Sequence, residues 1–146
     1  MITDNLKAQI KADEGVVYEI YNDHLGYATF GVGHLIKESD PEIHLEVGSL
    51  IPKARVDDCL IEDLQTAVVE CRVLYPWFMS APQETKEILI NMMFNMGRPR
   101  LSKFKNFSRE LKHQDWIQAA VEGRDSLWYR QVTKRAERLM TRMENV

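Results

Sequence analysis

Apolar positions recur at three- and four-residue steps over most of the chain, and this spacing predicts amphipathic helices. The predicted helices span residues 3–13, 53–74, 83–96, 102–112, 114–122, 125–130 and 133–144. Residues 17–34 differ, because β-branched and aromatic residues alternate there around a polar turn, which predicts a β-hairpin. The following stretch contains Ser-Asp-Pro and Gly-Ser breakers and is expected to be irregular up to residue 51. The pattern therefore predicts a mostly helical α+β protein.

Two of the predicted helices set the expected architecture. The segment 53–74 would be a helix of about 33 Å, long enough to join two lobes. The segment 83–96 is apolar nearly all round, which is typical of a helix buried at the centre of a bundle. We therefore predict a single domain over residues 1–146. Its expected parts are a small β-containing lobe at 14–52, a connecting helix at 53–75, and a helical lobe at 76–146 on which helix 3–13 packs.

Composition supports a folded domain and excludes several other classes. The chain has 146 residues, of which 45% are hydrophobic and 28% charged, so it is neither disordered nor built to lie in a membrane. No apolar run approaches the roughly 20 residues of a transmembrane helix, and the N-terminal residues lack the features of a secretory signal. Cys59 and Cys71 would lie about 18 Å apart on one helix, too far for a disulfide. We expect reduced thiols that face the core.

The net charge of −3 is unevenly distributed along the chain. Residues 1–97 contain 16 acidic and 7 basic residues, whereas residues 98–146 contain 6 acidic and 12 basic ones. The basic part could face an anionic polymer or could form an ordinary solvated helical surface. A helical nucleic-acid binder is a competing class. No DNA-binding module stands out, however, and the acidic part would repel phosphate.

The most distinctive candidate chemistry is a pair of carboxyl groups beside the predicted hairpin. Glu14 closes the first helix and Asp23 lies in the hairpin turn, so the turn can bring the second carboxylate back toward the first. Glycoside hydrolysis needs such a pair, one protonated to release the leaving oxygen and one ionised to activate water or attack carbon. Thr29 adds a hydroxyl on the hairpin. Each of these residue types is also common in caps, turns and strands.

Other kinds of site have little support in the sequence. The four histidines lack metal-ligand spacing, and neither a zinc-binding HExxH nor a Gly-x-Ser-x-Gly nucleophile motif occurs. We therefore expect no metal and no cofactor. Gly31 and Gly33 lack the third glycine of a dinucleotide cradle, and they favour close backbone approach beside a ligand. His34 is expected to be a structural residue hydrogen-bonded to a carboxylate.

Three ordered blocks of the sequence resemble the phage-type lysozymes, the muramidase endolysins of tailed bacteriophages. The first block reads Asp13-Glu14-Gly15, Tyr21-x-Asp23 and Gly26-Tyr27-x-Thr29-x-Gly31-x-Gly33-His34-Leu35. It contains the catalytic spacing of the family, which is Glu, eight residues, Asp, five residues, Thr. Residues 90–97 are similar to the central buried helix of the family, and residues 126–138 to its C-terminal helices. The resemblance implies a lysozyme-like two-lobe fold.

The resemblance also implies an activity and a role for each residue of the first block. The activity is hydrolysis of the β-1,4 bond between N-acetylmuramic acid and N-acetylglucosamine in bacterial peptidoglycan, for lysis of the host cell. Glu14 would be the general acid, Asp23 would activate water or stabilise the developing positive charge, and Thr29 would hold that water. The reaction would invert the anomeric carbon, with the two carboxyl groups about 6.5–9.5 Å apart. We expect Glu14 to be partly buried, so that it stays protonated near neutral pH.

Substrate-binding positions carry over less completely from the family. Leu35 and Phe94 match positions that line the substrate cleft. Two other family positions, usually a serine and an asparagine, fall on Phe107 and Glu122 in this chain. The glycan contacts of the helical lobe are therefore expected to differ from those of the family.

The resemblance further assigns supporting residues, partners and a location. His34 and Arg135 match residues that support the catalytic groups, and the arginine is expected near the catalytic glutamate. The expected partner is bacterial peptidoglycan, with no nucleic acid, no stable membrane insertion and a monomeric chain. The protein would accumulate in the host cytoplasm and reach the periplasm and cell wall after release by a holin.

Two further alternatives concern the activity, and the first of them has the same fold. The first is a catalytically silent peptidoglycan-binding protein, which need not retain Glu14, Asp23 and Thr29 together. The second is a lytic transglycosylase, which needs an acid but no carboxylate to activate water. The presence of Asp23 with Thr29 favours hydrolysis over both.

Overall fold

A computed structural model describes all 146 residues and contains seven α-helices and one small sheet. The helices are α1 (Asp4–Glu14), α2 (Lys53–Leu74), α3 (Gln83–Leu101), α4 (Lys105–Lys112), α5 (Trp116–Arg124), α6 (Leu127–Gln131) and α7 (Thr133–Glu144). The strands are β1 (Val17–Asn22), β2 (Ala28–Gly31) and β3 (His34–Leu35), and two short 3-10 helices span Pro41–His44 and Phe78–Ser80. The predicted fold class, α+β and mostly helical, is confirmed.

Internal contacts divide the chain into two compact units. The N-terminal unit consists of residues 2–65, and the C-terminal unit consists of Met1 with residues 66–146. The division falls inside α2, and α1 belongs to the N-terminal unit. The predicted packing of helix 3–13 on the helical lobe stays a prediction. None of the helices is both long enough and apolar enough to span a membrane.

Helix α1 begins and ends at residues suited to those positions. The Thr3 hydroxyl accepts a hydrogen bond from the Leu6 amide at 3.0 Å and so satisfies one of the unpaired amides of the first turn. Leu6 and Ile10 are fully buried. Gly15 has a φ of 78° and its amide donates to the Lys11 carbonyl at 2.9 Å, which ends the helix. The predicted cap, buried face and end are confirmed, and they place Glu14 at the last helical position.

The predicted hairpin is confirmed, and a third strand extends it to an antiparallel sheet in the order β1-β2-β3. In its register Tyr21 lies opposite Thr29, and Thr29 lies opposite Leu35. Side chains directly opposite one another project from the same face of a sheet. These three residues therefore form a row across one face. Phe30 and His34 form the next row, and both are buried on the other face.

The segment that precedes α2 covers the free edge of β1. The Ile51 amide donates to the Tyr18 carbonyl at 2.9 Å, and Glu19 forms an isolated antiparallel bridge with Leu50. The sequence predicted only irregular structure here. That prediction was wrong in part, because the segment also contains the Pro41–His44 3-10 helix. Covering an exposed strand edge prevents it from pairing with another chain.

Gly31 packs closely against α2. Its φ is 67°, and a Cβ at this position would lie 3.1 Å from a methyl group of Val56. The left-handed backbone and the close packing both require a glycine. The close backbone approach predicted for Gly31 is therefore to the buried Val56 of α2 and not to a ligand.

Helix α2 has the predicted bounds and contains both cysteines. Cys59 and Cys71 are free and buried. Burial raises the pKa of the Cys59 thiol to about 11 and that of the Cys71 thiol to about 12. Both thiols are therefore protonated at neutral pH and unreactive. The predicted reduced, core-facing state is confirmed.

Helix α3 is the buried helix of the C-terminal unit, as the sequence predicted. Ten of its residues are buried, among them Ile88, Leu89, Ile90 and Met92. Gly97 breaks the regular helix with φ 78° and ψ 163°, and a final helical turn follows up to Leu101. The predicted end at residue 96 is thus correct for the regular helix. One further helical turn follows, and Pro99 is accommodated because it lies near the start of that turn.

The last helices of the C-terminal unit are joined by a charged cluster. Arg124 of α5 donates to Glu137 at 3.0 Å and to Glu144 at 2.8 Å, both on α7. The hydrogen bond from Arg124 is the largest of the interactions that lower the pKa of Glu137 to about 2. Tyr129 of α6 donates to the same carboxylate at 2.8 Å. The cluster thereby links α5, α6 and α7.

Candidate active site

Asp23 begins the turn between β1 and β2 and is fixed by it. Its Oδ1 accepts hydrogen bonds from the amides of Leu25 and Tyr27, each at 2.9 Å. Its own amide donates to the Tyr27 carbonyl at 2.9 Å, and its carbonyl accepts from the Gly26 amide at 2.9 Å. Aspartate side chains commonly stabilise turns by bonding amides a few residues ahead. These two side-chain hydrogen bonds both use Oδ1 and leave Oδ2 able to accept from another donor.

Thr29 is buried on β2, with 3% of its surface exposed. Its hydroxyl donates to the Tyr27 carbonyl at 2.9 Å, which is the oxygen that also accepts the Asp23 amide. A hydroxyl has one hydrogen to donate and two lone pairs that accept. Because the hydrogen is used, the Thr29 oxygen can only accept from a further partner.

Glu14 is exposed at the end of α1. The side chain was expected to be partly buried, and that expectation was wrong, because it is exposed. It nevertheless belongs to the same unit as Asp23 and Thr29.

Tyr21 of β1 is a half-buried residue whose phenol has a raised pKa. Burial raises the pKa of its phenol, and the negative charges of Asp23 and then Glu14 raise it further. The phenol is therefore protonated at neutral pH.

His34 lies on the opposite face of the sheet between two aspartates. Its Nδ1 is 2.7 Å from Asp63 Oδ2, and its Nε2 is 2.9 Å from Asp40 Oδ2. The bond to Asp63 is the largest effect and raises the pKa of His34; burial opposes it, and Asp40 adds to it. The expectation of a structural histidine bonded to a carboxylate is confirmed.

Arg55 extends this buried cluster toward the 3-10 helix. Its Nε is 2.9 Å from Glu42 Oε2, and its second guanidinium nitrogen is 3.2 Å from Asp40 Oδ1. Burial disfavours ionised Asp40, but the Lys37 amide and His34 together outweigh that effect and lower its pKa. The cluster supports the sheet from the face opposite Thr29.

The sequence model of the phage lysozyme family matches residues 11–145. The chain belongs to the phage lysozyme family. It is therefore a lysozyme of the muramidase type, a hydrolase, as the sequence predicted. Peptidoglycan is the substrate that this family implies.

Individual relatives support the assignment to this family. The lysozyme is 28% identical to "Probable T4-type lysozyme 2" and to "Probable T4-type lysozyme 1" of Dictyostelium discoideum, over 98% of this chain and 95% of each relative. It is 26% identical to "Pre-baseplate central spike protein Gp5" of Enterobacteria phage T4, over 92% of this chain and 27% of that protein. The third match therefore covers only one segment of the spike protein.

The predicted substrate-binding residues of the lysozyme lie in different units. Leu35 is 49% exposed and lies beside Thr29 in the row across the sheet. Phe94 lies half-buried on α3 in the C-terminal unit. Phe107 is 1% exposed and packs edge-on against Phe104, so its ring is a core group. Glu122 and Phe107 both line a cavity of about 270 Å³.

Arg135 of the lysozyme is a buried residue of the C-terminal unit. Its Nε donates to Asn91 Oδ1 at 2.8 Å, and a guanidinium nitrogen donates to the Asn91 carbonyl at 3.4 Å. These bonds fix the guanidinium on α3. Its expected position near the catalytic glutamate stays a prediction.

Sequence reasoning missed several parts of the site. It assigned no role to Tyr21, to the Tyr27 carbonyl, or to Asp63. Strand alternation was a usable signal for Tyr21, since it lies two positions before Asp23 on a predicted strand. No local signal identifies Asp63, because it lies 29 residues from His34 in sequence.

Proposed function

We propose that this lysozyme is an endolysin that hydrolyses the β-1,4 bond between N-acetylmuramic acid and N-acetylglucosamine in peptidoglycan to lyse a host cell. Glu14 acts as the general acid, and Asp23 and Thr29 activate and position the attacking water. The observation that carries this assignment is the single Tyr27 oxygen that accepts both the Asp23 amide and the Thr29 hydroxyl.

The hydrogen bonds of Thr29 and Asp23 suit them to hold a water molecule. The Thr29 oxygen can accept one hydrogen of the water, because its own hydrogen goes to Tyr27. Asp23 Oδ2 can accept the other, because Oδ1 is engaged with Leu25 and Tyr27. A water held by two acceptors directs a lone pair away from them and toward the anomeric carbon. Asp23 takes the proton as that bond forms.

Glu14 completes the pair as the proton donor. The leaving oxygen must be protonated as its bond to the anomeric carbon breaks, and a carboxylic acid supplies that proton. Glu14 lies in the same compact unit as Asp23 and Thr29, which supports placing the three in one reaction site. Glu14 is solvent-exposed at the end of α1.

The cellular setting is part of the same proposal. The protein acts as a monomer on the wall, after accumulating in the host cytoplasm and leaving through a membrane lesion made by a holin. The basic residues of segment 98–146 attract it to the anionic wall.

A lysis assay with matched variants tests the proposed function. Wild-type protein added to outer-membrane-permeabilised bacteria should clear the suspension, and Glu14→Gln should be slower by at least about 100-fold. Glu19→Gln is the control, because Glu19 is also exposed in the same unit but lies at the bridge to Leu50. Equal clearing by Glu14→Gln would contradict the assignment. Binding to the wall without clearing by the wild type would instead identify a silent binder.

A further inference from the structure

A small cavity in the C-terminal unit is lined by two tryptophans from separate segments of the chain. Trp77 lies just before the Phe78–Ser80 3-10 helix, and Trp116 is the first residue of α5. The cavity has a volume of about 180 Å³. Sites that enclose drug-sized ligands have roughly 300–1,000 Å³, so this cavity suits a single ring and not a whole oligomer.

The two indoles of the cavity differ from the third tryptophan of the chain. Trp128 is 1% exposed and its indole N–H donates to Asn95 Oδ1 at 2.8 Å, so it is a core residue. Trp77 and Trp116 are only partly buried. The Trp77 ring packs on Tyr75, with the ring centroids 5.0 Å apart, and this contact holds the indole in place. Such an indole offers a ligand a large apolar surface and one N–H donor.

Polar groups lie beside the two indoles. Ser80, Lys112 and Gln114 also line the cavity, and all three are exposed. The Ser80 hydroxyl donates to the Trp77 carbonyl at 2.8 Å, so its oxygen can only accept from a ligand. Lys112 offers donors, and the Gln114 side-chain amide offers both donors and an acceptor. A few polar groups beside an apolar surface are the usual composition of a site for a small ligand.

Gln114 has a backbone conformation that normally favours glycine. Its φ is 59°, which is the only positive φ outside the glycines. Its amide donates to the Leu111 carbonyl, and the Asp115 amide donates to the Glu110 carbonyl, each at 3.0 Å. These two bonds end α4 in the manner of a helix terminus that usually carries glycine, because glycine has no Cβ. The glutamine keeps a long amide side chain beside the cavity at a conformational cost that glycine would avoid.

We propose that this cavity binds one N-acetylhexosamine ring of a peptidoglycan strand and so anchors the lysozyme to the wall. A pyranose ring has an apolar face of C–H groups that can pack on an indole, and its edge carries hydroxyl and acetamido groups that need donors and acceptors. The cavity supplies both. Lys112 is the only charged residue of the lining, which suits a neutral sugar better than a polyanion.

The choice of polymer rests on the proposed function, in which peptidoglycan is the substrate. The site itself is separate from the catalytic candidates. Its lining residues belong to the C-terminal unit, whereas Glu14, Asp23 and Thr29 belong to the N-terminal unit. Binding at the cavity can therefore be measured in protein whose catalytic acid has been removed.

Titration of tetra-N-acetylchitotetraose into ¹⁵N-labelled Glu14→Gln protein tests the inference, because this variant should not cleave the sugar. The chain has three tryptophans, so its spectrum has three indole N–H signals. The signals of Trp77 and Trp116 should shift on binding, and that of the buried Trp128 should shift less. Trp77 and Trp116 signals that stay unmoved at millimolar sugar would overturn the inference.

Substitutions at the cavity should weaken the binding. Gln114→Gly removes the side-chain amide, so affinity should fall about five-fold, the effect of about one hydrogen bond. Its melting temperature should change little, because relief of the left-handed backbone offsets the greater freedom of glycine in the unfolded chain. Trp116→Ala should lower the affinity about ten-fold, read from the Trp77 signal.

Val121→Ala is the matched control for these variants. Val121 lies on α5 like Trp116 and is 47% exposed, but it does not line the cavity. Its substitution should leave the affinity unchanged. Wild-type affinity in both Gln114→Gly and Trp116→Ala would overturn the inference, and so would an equal loss in Val121→Ala.

Sedimentation with purified peptidoglycan extends the test to the polymer. In the Glu14→Gln background, Trp116→Ala should lower the bound fraction and Val121→Ala should not. If Glu14→Gln alone clears bacteria at the wild-type rate, the proposed function fails, and the indole signals still decide whether the cavity binds a sugar. Indole shifts that depend on protein concentration and not on the sugar would identify a second copy of the chain as the occupant and overturn the inference.

Discussion

Asp23 and Thr29 are joined through one backbone oxygen. The Tyr27 carbonyl accepts the Asp23 amide and the Thr29 hydroxyl, each at 2.9 Å. The turn that closes the hairpin therefore also fixes the two groups proposed to hold the attacking water. A change at either residue acts on the turn and on the reaction, and paired substitutions can separate the two effects.

Thr29→Val should lower activity with little loss of stability. Valine has nearly the same shape but lacks the lone pairs that hold the water, so kcat should fall by about 100-fold. The Tyr27 oxygen still receives the Asp23 amide, so unfolding free energy should fall by no more than about 1 kcal/mol. Muropeptide release and thermal melting measure the two quantities. Thr29→Ser keeps the hydroxyl and should keep most of the activity; equal loss in both variants would count against a role for the hydroxyl.

Asp23→Asn and Asp23→Ala should be equally inactive but unequally stable. Asparagine keeps an oxygen for the Leu25 and Tyr27 amides, whereas alanine leaves both without this acceptor. The alanine variant should be less stable than the asparagine variant by about 1–2 kcal/mol. Urea unfolding measures the difference. If asparagine were as destabilising as alanine, the turn would depend on the charge of Asp23 and not on its oxygen.

The His34 cluster should make stability depend on pH. The pKa of His34 is raised, so its contribution is fully present below its unfolded value of about 6.5 and is lost as pH rises through the folded value. The pKa of Asp40 is lowered, so its contribution is present above about 3.9 and is lost as pH falls through the folded value. The cluster should therefore stabilise the protein most between about pH 4 and 6.5.

Substitution of His34 tests the predicted pH range of greatest stabilisation by the cluster. His34→Gln should lose about 3 kcal/mol of unfolding free energy at pH 6 and a smaller amount at pH 9. His44→Gln is the control, because His44 is exposed. A constant difference in unfolding free energy between wild type and His34→Gln from pH 5 to pH 9 would show that His34 does not titrate in the folded protein over this range.

Gly123→Ala should destabilise the C-terminal unit. Alanine normally stabilises a helix by about 0.5–1 kcal/mol relative to glycine. Here, however, a Cβ would overlap the Met140 sulfur of α7, and overpacking costs about 1–3 kcal/mol. We expect a net loss of about 1–2 kcal/mol in chemical unfolding. Adding Met140→Ala should make the double variant less destabilised than the sum of the single changes. A higher melting temperature for Gly123→Ala alone would show that Met140 moves aside at no cost.

Features with local signals could be predicted from the sequence. The Thr3 cap, Gly15 and the spacing of Leu6 and Ile10 are all contained within one helix, and α1 formed as expected. The apolar spacing over residues 53–74 likewise predicted the bounds of α2 correctly, because the signal lies within that one helix. Glu14, Asp23 and Thr29 could be named as candidates because they lie close together in sequence and match the Glu, Asp and Thr spacing of the phage-type lysozymes.

Features that depend on distant residues could not be predicted. The partner of Gly31 is Val56, and a partner of His34 is Asp63, each more than 20 residues away in sequence. The bridge between Glu19 and Leu50 likewise joins segments whose pairing no local pattern specifies. The exposure of Glu14 was wrongly predicted for a related reason, because burial depends on what packs over a residue and not on its own helix.

Product analysis on purified peptidoglycan in ¹⁸O-labelled water distinguishes hydrolysis by Glu14 and Asp23 from its alternatives. Wild-type protein should release muropeptides with ¹⁸O at newly formed reducing ends, and Glu14→Gln and Asp23→Asn should release almost none. Mass spectrometry that finds unlabelled anhydro-sugars, or labelled products from Glu14→Gln at the wild-type rate, would contradict it.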